Sequence, residues 1–321
     1  MSAFAELAVT TNFSFLRGAS HPQEMVARAD ELGLAAIGIA DRNSFAGVVR
    51  AHDEAKKRKI KLVVGTRLVT IDGLEVLAYP TDRAAYGRLC RLITAGNLKA
   101  KKSECHLTFE EILNAAAGQI FIALPPVNLF SHSAAIDEQK ITSPWRGEVD
   151  APTGPAGSGR PDDKLSAAGG GDVAVSLVTP PRPLRGRPSL SRGGSEEFVS
   201  RLAALADAAP GRTFLAGVHY HRGDEPRRLG LLAELGARCG APLVAVNDVF
   251  YHAPERRPLL DVLTCIREKC TIAKAGLRLA INAERHLKAP AEMARLFAAF
   301  PDAIARSTTI ARSCSFSLGE F

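Results

Sequence analysis

The sequence has little of what marks a membrane-spanning, secreted or metal-stapled protein. No apolar run reaches the ~18–20 residues needed to cross a bilayer. The first residues carry no basic stretch followed by a long apolar core, so no secretory signal is read and the cytoplasm is the expected location. The six cysteines include no CxxC pair. The tightest spacing, Cys265 and Cys270 in "LTCIREKCTI", reads as helical, and five positions apart on one helix the two thiols point in different directions. Ordinary reduced cysteines are therefore expected ahead of a zinc site.

What is present is a soluble-type composition, with 46% hydrophobic and 23% charged residues over 321 positions. That length suits one large domain or two ordinary ones. The net charge is +7. Two basic clusters stand out, "KKRKIK" with Lys56, Lys57, Arg58 and Lys59, and "NLKAKK" with Lys99, Lys101 and Lys102. Such clusters neutralise nucleic-acid phosphates, and they also serve as solvated helix ends, where cations favour the dipole. They are the candidate DNA contacts.

Between Ser131 and Ser195 the composition changes, with 8 of the 19 prolines and 10 of the 27 glycines in this one stretch. No helical or strand period survives there, so the segment buries too little apolar surface to offset its ordering entropy. It is expected to be a disordered insertion. The only tryptophan, Trp145, lies inside it and marks foreign sequence better than a partner anchor.

Outside that stretch, apolar strands alternate with amphipathic helices. "AELAVTT", "LAAIGIAD", "IKLVVGTRLVTI", "GLEVLAYP", "QIFIALPP", "RTFLAGVHYH" and "APLVAVNDVFYH" read as strands. Repeated strand–helix units with apolar strands imply an α/β fold on a parallel sheet, open or closed into a barrel. Its site lies at the carboxyl ends of the strands, where Asp41 and Asp248 fall. From about Leu259 the pattern becomes helical.

The ordered motifs "FAELAVTTNFSFLRGASHP", "LGLAAIGIADRNSFAGVVRAH", "LVVGTRLV", "YPTDRAAYGRLCRLIT" and "PLVAVNDVFYH" resemble the N-terminal PHP (polymerase and histidinol phosphatase) domain of C-family bacterial DNA polymerases. The likeness is greatest to the error-prone, polymerase III alpha-like branch. It implies a distorted (β/α)7 barrel over 1–130 and 196–258, interrupted by the insertion at 131–195. Residues 259–321 would then be a helical connector toward a polymerase core that is missing from this chain. The final helix, with Ile304, Ile310 and Phe316, would expose an apolar face for want of that core.

The resemblance also supplies a site. Active members hold metal ions at the strand ends with His, Asp, Glu and Cys, which suits phosphoester hydrolysis. At the matching positions this sequence has Ala8 and Thr10 for the paired histidines of the first strand. It keeps Asp41 but has Arg42 for the following histidine, has Arg67 for a glutamate, and keeps Asp248 but has Phe250 for a histidine. Arginine is effectively always charged and is no metal ligand. A degenerate metal site is therefore expected, with Arg42 or Arg67 pairing with Asp41 or Asp248. A rescue by His219 and His221, completed by Asp224 and His252, is the minor reading.

No Asp-x-Asp occurs, so the carboxylates of two-metal nucleotide transfer are not seen either. The expected function is that of a non-catalytic scaffold of an error-prone polymerase, which in the parent protein would use Mg²⁺ for mutagenic, damage-tolerant DNA synthesis. No cofactor is expected in this chain itself. Its expected partners are the remainder of the polymerase chain, DNA, and other damage-tolerance or replication proteins, with no membrane. The alternative is an autonomous metal-dependent phosphoesterase or exonuclease of the same superfamily.

Overall fold

The computed structural model describes residues 3–130 and 192–320. The expected insertion falls almost wholly outside them. In chain order the elements are β1 (Ala5–Val9), α1 (Pro22–Glu31), β2 (Ala36–Arg42), α2 (Val48–Arg58), β3 (Lys61–Val69) and β4 (Glu75–Pro80). There follow α3 (Arg83–Leu98), α4 (Phe109–Asn114), β5 (Gln119–Leu124), α5 (Arg192–Ala208), β6 (Thr213–Gly217), α6 (Glu225–Arg238) and β7 (Leu243–Ala245). The last four helices are α7 (Arg257–Arg267), α8 (Ile272–Ala275), α9 (Pro290–Leu296) and α10 (Pro301–Ser313).

The seven strands form one sheet in the order β1 to β7. The sheet curls until the chain just after β7 meets β1, where Val249 N–H donates to Ala8 O (2.7 Å) and Thr10 N–H donates to Val249 O (2.9 Å). Four of the six strand pairings are parallel, as the strand–helix pattern of the sequence implies, but β4 runs antiparallel to both β3 and β5. The reason is local. Only "TIDGL" separates β3 from β4, too short for the crossover that a parallel neighbour needs. β7 is also shorter than its apolar run suggests, because the chain bends at Asp248 into the left-handed region (φ 48°).

Period-two alternation divides the side chains into two cores. Outward-facing Ile37, Ile39, Val64 and Leu68 pack under the surrounding helices. Inward-facing Ala5, Ala36, Ala40 and Val63 gather around the fully buried ring of Tyr79. Small residues are required here: a Cβ on Gly65 would lie 2.3 Å from the Tyr79 ring.

The carboxyl-terminal segment corrects the sequence reading most. Helix α10 lies against β1, β2 and β7 at their amino ends. Ser307 Oγ accepts from Ala5 N–H (3.1 Å), Arg306 donates to Leu243 O (3.0 Å), and Ile310, Ala311 and Cys314 join the inner core. Ile304, Ile310 and Phe316, expected to form an exposed face, are each 3% exposed or less. The amphipathic stripe was legible, but its partner is the floor of this same barrel.

Helix α5 begins at Arg192, ahead of the expected boundary at 196. Ser195 Oγ donates to Leu129 O (3.1 Å), which holds the start of this helix beside the chain that leaves β5.

Candidate functional site

The seven positions singled out in the sequence lie at or next to the carboxyl ends of β1, β2, β3 and β7. Register places Asp41 beside Thr66 and Arg42 beside Arg67 on adjacent strands. Ala8 and Thr10 face the closing segment at Val249 through the two backbone hydrogen bonds already described. The strand ends therefore meet around one mouth.

Asp41 is held by the loop after β1. Its carboxylate accepts from Thr11 N–H (2.8 Å), from Thr11 Oγ1 (2.8 Å to Oδ2) and from Ser14 Oγ (2.7 Å). Ser14 Oγ in turn accepts from Arg42 N–H (2.9 Å), so the loop and the end of β2 form one network. Gly47 packs directly on this carboxylate, where a Cβ would lie 2.4 Å from Asp41 Oδ2. Burial pushes the Asp41 carboxyl up, against the opposing pull of these hydrogen bonds and of the Arg67 charge.

Asp248 is gripped by two guanidinium groups. Arg67 Nη2 donates to Oδ1, and Arg285 Nη2 donates to Oδ2. Arg285 Nε also donates to Asp248 O (2.6 Å), and Arg67 Nη1 donates to Glu75 Oε2 on β4 (3.1 Å). The Arg285 guanidinium stands 4.2 Å from the centre of the Phe250 ring, close enough for a cation–π contact. Arg67 is 5% exposed. Burial works against its charge, but Asp248 and Glu75 outweigh burial and hold its pKa above the ordinary arginine value.

Of the pairings expected from sequence, Arg67 with Asp248 is present. Arg42 turns instead toward Glu75 (3.9 Å), and Asp41 is held by hydroxyls and a backbone N–H. The Asp41 and Asp248 oxygens already accept hydrogen bonds, those of Asp248 from two cations, and a metal between them would face Arg67 at close range. Thr10, at the place of a histidine, has a buried hydroxyl with no hydrogen-bond partner among the described residues.

The sequence reading missed three groups of this site. Arg285 lies 37 positions from Asp248 and Glu75 only eight from Arg67, across the β3–β4 turn, and no local pattern marks either. Glu6 did leave a signal, a lone carboxylate in the apolar strand "AELAV". It is buried, accepts from Ala8 N–H (2.8 Å) and Asn247 N–H (2.9 Å), and burial pushes its pKa up to about 7.

The alternative metal set does not come together. His219 and His221 are neighbours, with ring centres 4.3 Å apart, and His221 Nε2 lies 3.4 Å from Glu284. His252 is bonded to Ser20 Oγ (2.8 Å), while Asp224 sits at the amino end of α6. No group of three or more His, Cys, Asp or Glu among the described residues is placed to hold a metal ion.

The two basic clusters lie at opposite ends of the barrel. Lys56, Lys57, Arg58 and Lys59 end α2 and lead into the amino end of β3, on the floor side beside Ser315 and Ser317. Glu54 engages Lys57 (3.6 Å) and Arg58 (2.7 Å). Lys99, Lys101 and Lys102 follow α3 on the mouth side, where Ile71 N–H after β3 donates to Leu107 O (3.0 Å). Lys99 pairs with Glu111. The nine-residue β3 runs from floor to mouth, about 30 Å at ~3.3 Å per residue, so the clusters do not make one face. No described helix is long and apolar enough to cross a membrane.

Several known proteins are similar to this chain. Residues 6–147 match the model of the PHP domain. The chain is 46% identical over 325 residues to an error-prone DNA polymerase of Rhodopseudomonas palustris (strain HaA2), an alignment covering 99% of this chain and 26% of that protein. It is 42% identical over 316 residues to an error-prone DNA polymerase of Caulobacter vibrioides, covering 98% and 23%. The chain thus spans about a quarter of the length of the curated relatives it matches. Among solved structures, an amidohydrolase from Chromobacterium violaceum aligns with a TM-score of 0.45 at 12% identity, covering 78% of this chain and 88% of that one.

Proposed function

From the premise that this chain carries a PHP domain, we propose that it serves as the scaffold module of an error-prone DNA polymerase, without hydrolytic or polymerase chemistry of its own. The observation that carries this reading is Asp248 clasped between Arg67 and Arg285 at the mouth of the barrel. Guanidinium charge there does the structural work that metal charge does in a hydrolytic site, and leaves no centre to activate water. The site is a degenerate one, and the barrel supports the remainder of a polymerase chain. That remainder would act on DNA in the cytoplasm with Mg²⁺, in damage-tolerant and mutagenic synthesis.

The test uses the purified chain. Elemental analysis is expected to find no stoichiometric Zn²⁺, Mn²⁺ or Mg²⁺. No hydrolysis of a generic phosphodiester and no extension of primed DNA is expected with Mg²⁺ or Mn²⁺. Hydrolysis that disappears in Asp41→Ala would establish the autonomous phosphoesterase reading in its place. Primer extension that disappears in the same variant would refute the scaffold reading outright.

A further inference from the structure

Helix α7 ends in a way its sequence does not announce. Lys269 adopts a left-handed conformation (φ 52°) without being glycine. Lys269 N–H then donates to Ile266 O (3.2 Å), and Cys270 N–H donates to Cys265 O (3.0 Å). Those two bonds form a Schellman motif, in which the third residue before the helix cap meets the second residue after it, side chain to side chain. Here the two residues are Cys265 and Cys270. Their separation of five would spread them apart on a continuous helix; the reversal at Lys269 brings them to the same side of the chain, where both face one cavity.

Both thiols line one surface cavity of about 500 Å³ at the junction of α7 and α8, with Val262, Ile266, Lys269 and Ile272. Cys265 is buried and Cys270 is partly open to solvent. The other four cysteines sit on separate elements: Cys90 in α3, Cys105 before α4, Cys239 at the end of α6 and Cys314 after α10.

We propose that Cys265 and Cys270 form a dithiol modification site that hydroperoxides oxidise to an intrachain disulfide. Cys270, the solvent-reaching sulfur, attacks the peroxide as its thiolate. The O–O bond breaks, one oxygen leaves as alcohol or water, and Cys270 becomes a sulfenic acid. Cys265 then attacks that sulfur, the S–O bond breaks, and hydroxide departs as water with the Cys265 proton. Two thiols lose two electrons and two protons, and the hydroperoxide is reduced to alcohol and water. Burial and the neighbouring Cys270 thiol push the Cys265 thiol up, which suits it to act second. The turn already holds the two backbones together through the Cys270–Cys265 bond, so closure needs side-chain rotation and little else.

The folded chain is treated with hydrogen peroxide, free thiols are alkylated, and tryptic peptides are mapped. Cleavage after Arg267 and Lys269 separates the two cysteines, so the bridge holds two peptides together until it is reduced. The bridge should appear before Cys90, Cys105 or Cys239 loses its thiol. Cys265→Ser should leave Cys270 as a trappable sulfenic acid, and Cys270→Ser should slow oxidation at Cys265 at least tenfold. In urea, where the turn is gone, the preference for this pair should vanish. Recovery of both residues as free thiols while another cysteine is oxidised overturns the proposal, and so does equal bridging in the folded and unfolded chain.

Discussion

Arg67 and Asp248 are 181 positions apart in sequence and joined by an ion pair at the mouth of the barrel. Both side chains are less than a tenth exposed. The pair is reinforced on each side, by Glu75 on Arg67 and by Arg285 on Asp248. In such a chain of alternating charges each member is satisfied only while its neighbours stay.

Removing one member should therefore strand the next. Arg67→Ala is expected to destabilise the fold by ~1–3 kcal/mol, held to that range because Asp248 keeps Arg285. Combining it with Asp248→Asn, which still suits the left-handed backbone at 248, should cost less than the sum of the two single changes. Chemical denaturation of the four proteins measures this. An Arg67→Ala protein that unfolds with the wild type would mean that the guanidinium is merely solvated.

Much of this was legible in the sequence, for identifiable reasons. Apolar runs such as "LAAIGIAD" are too short for a buried helix between the Gly33 stop and the polar "DRN" turn and so read as buried strands, and arginine at positions 42 and 67 announces itself by its charge. Arg285 carried no such mark, because it enters the site through a loop whose only relation to Asp248 is tertiary. Burial of α10 was illegible for the same reason: an amphipathic stripe shows that a partner exists, not which one. Cys270 was placed on the wrong side of a helix end because the residue that reverses the chain is a lysine, not a glycine.

The connection between β5 and α5 gives a second prediction. Ser195 Oγ already reaches Leu129 O, so the two ends that a shortened chain must join are neighbours. Deleting 131–191 and bridging Phe130 to Arg192 with a short Gly/Ser linker should leave the melting temperature nearly unchanged. Each doubling of loop length costs only ~0.6 kcal/mol, so shortening should help slightly. A fall of several degrees would show that the deleted stretch contributes packing to the barrel.

Glu6 provides the last prediction, a dependence of stability on pH. Its carboxyl titrates near 4.5 when unfolded and at about 7 in the barrel, because burial disfavours the charged form. Hydrogen bonds from Ala8 and Asn247 and the Lys288 charge oppose that effect, and Asp248 adds to it. Below pH 4 the acid is protonated in both states and costs nothing. As pH rises from 4.5 toward 7 the unfolded chain ionises freely while the folded chain retains its proton, so stability is lost across that window. Above it the full penalty applies, about 3 kcal/mol for a gap of ~2.5 pH units at 1.36 kcal/mol each. His219, His252 and His286, whose pKa values burial lowers, act in the opposite sense and gain stability as pH rises. The diagnostic quantity is therefore a difference between variants, in which the histidines cancel. Glu6→Gln mimics the protonated acid, with a pH-independent loss of ~1 kcal/mol for an imperfect contact to one backbone N–H. Between pH 4.5 and pH 8 its stability relative to wild type should rise by about 3 kcal/mol, read from urea unfolding at each pH. Parallel stability curves for the two proteins would show that Glu6 reaches water and ionises like any surface carboxylate.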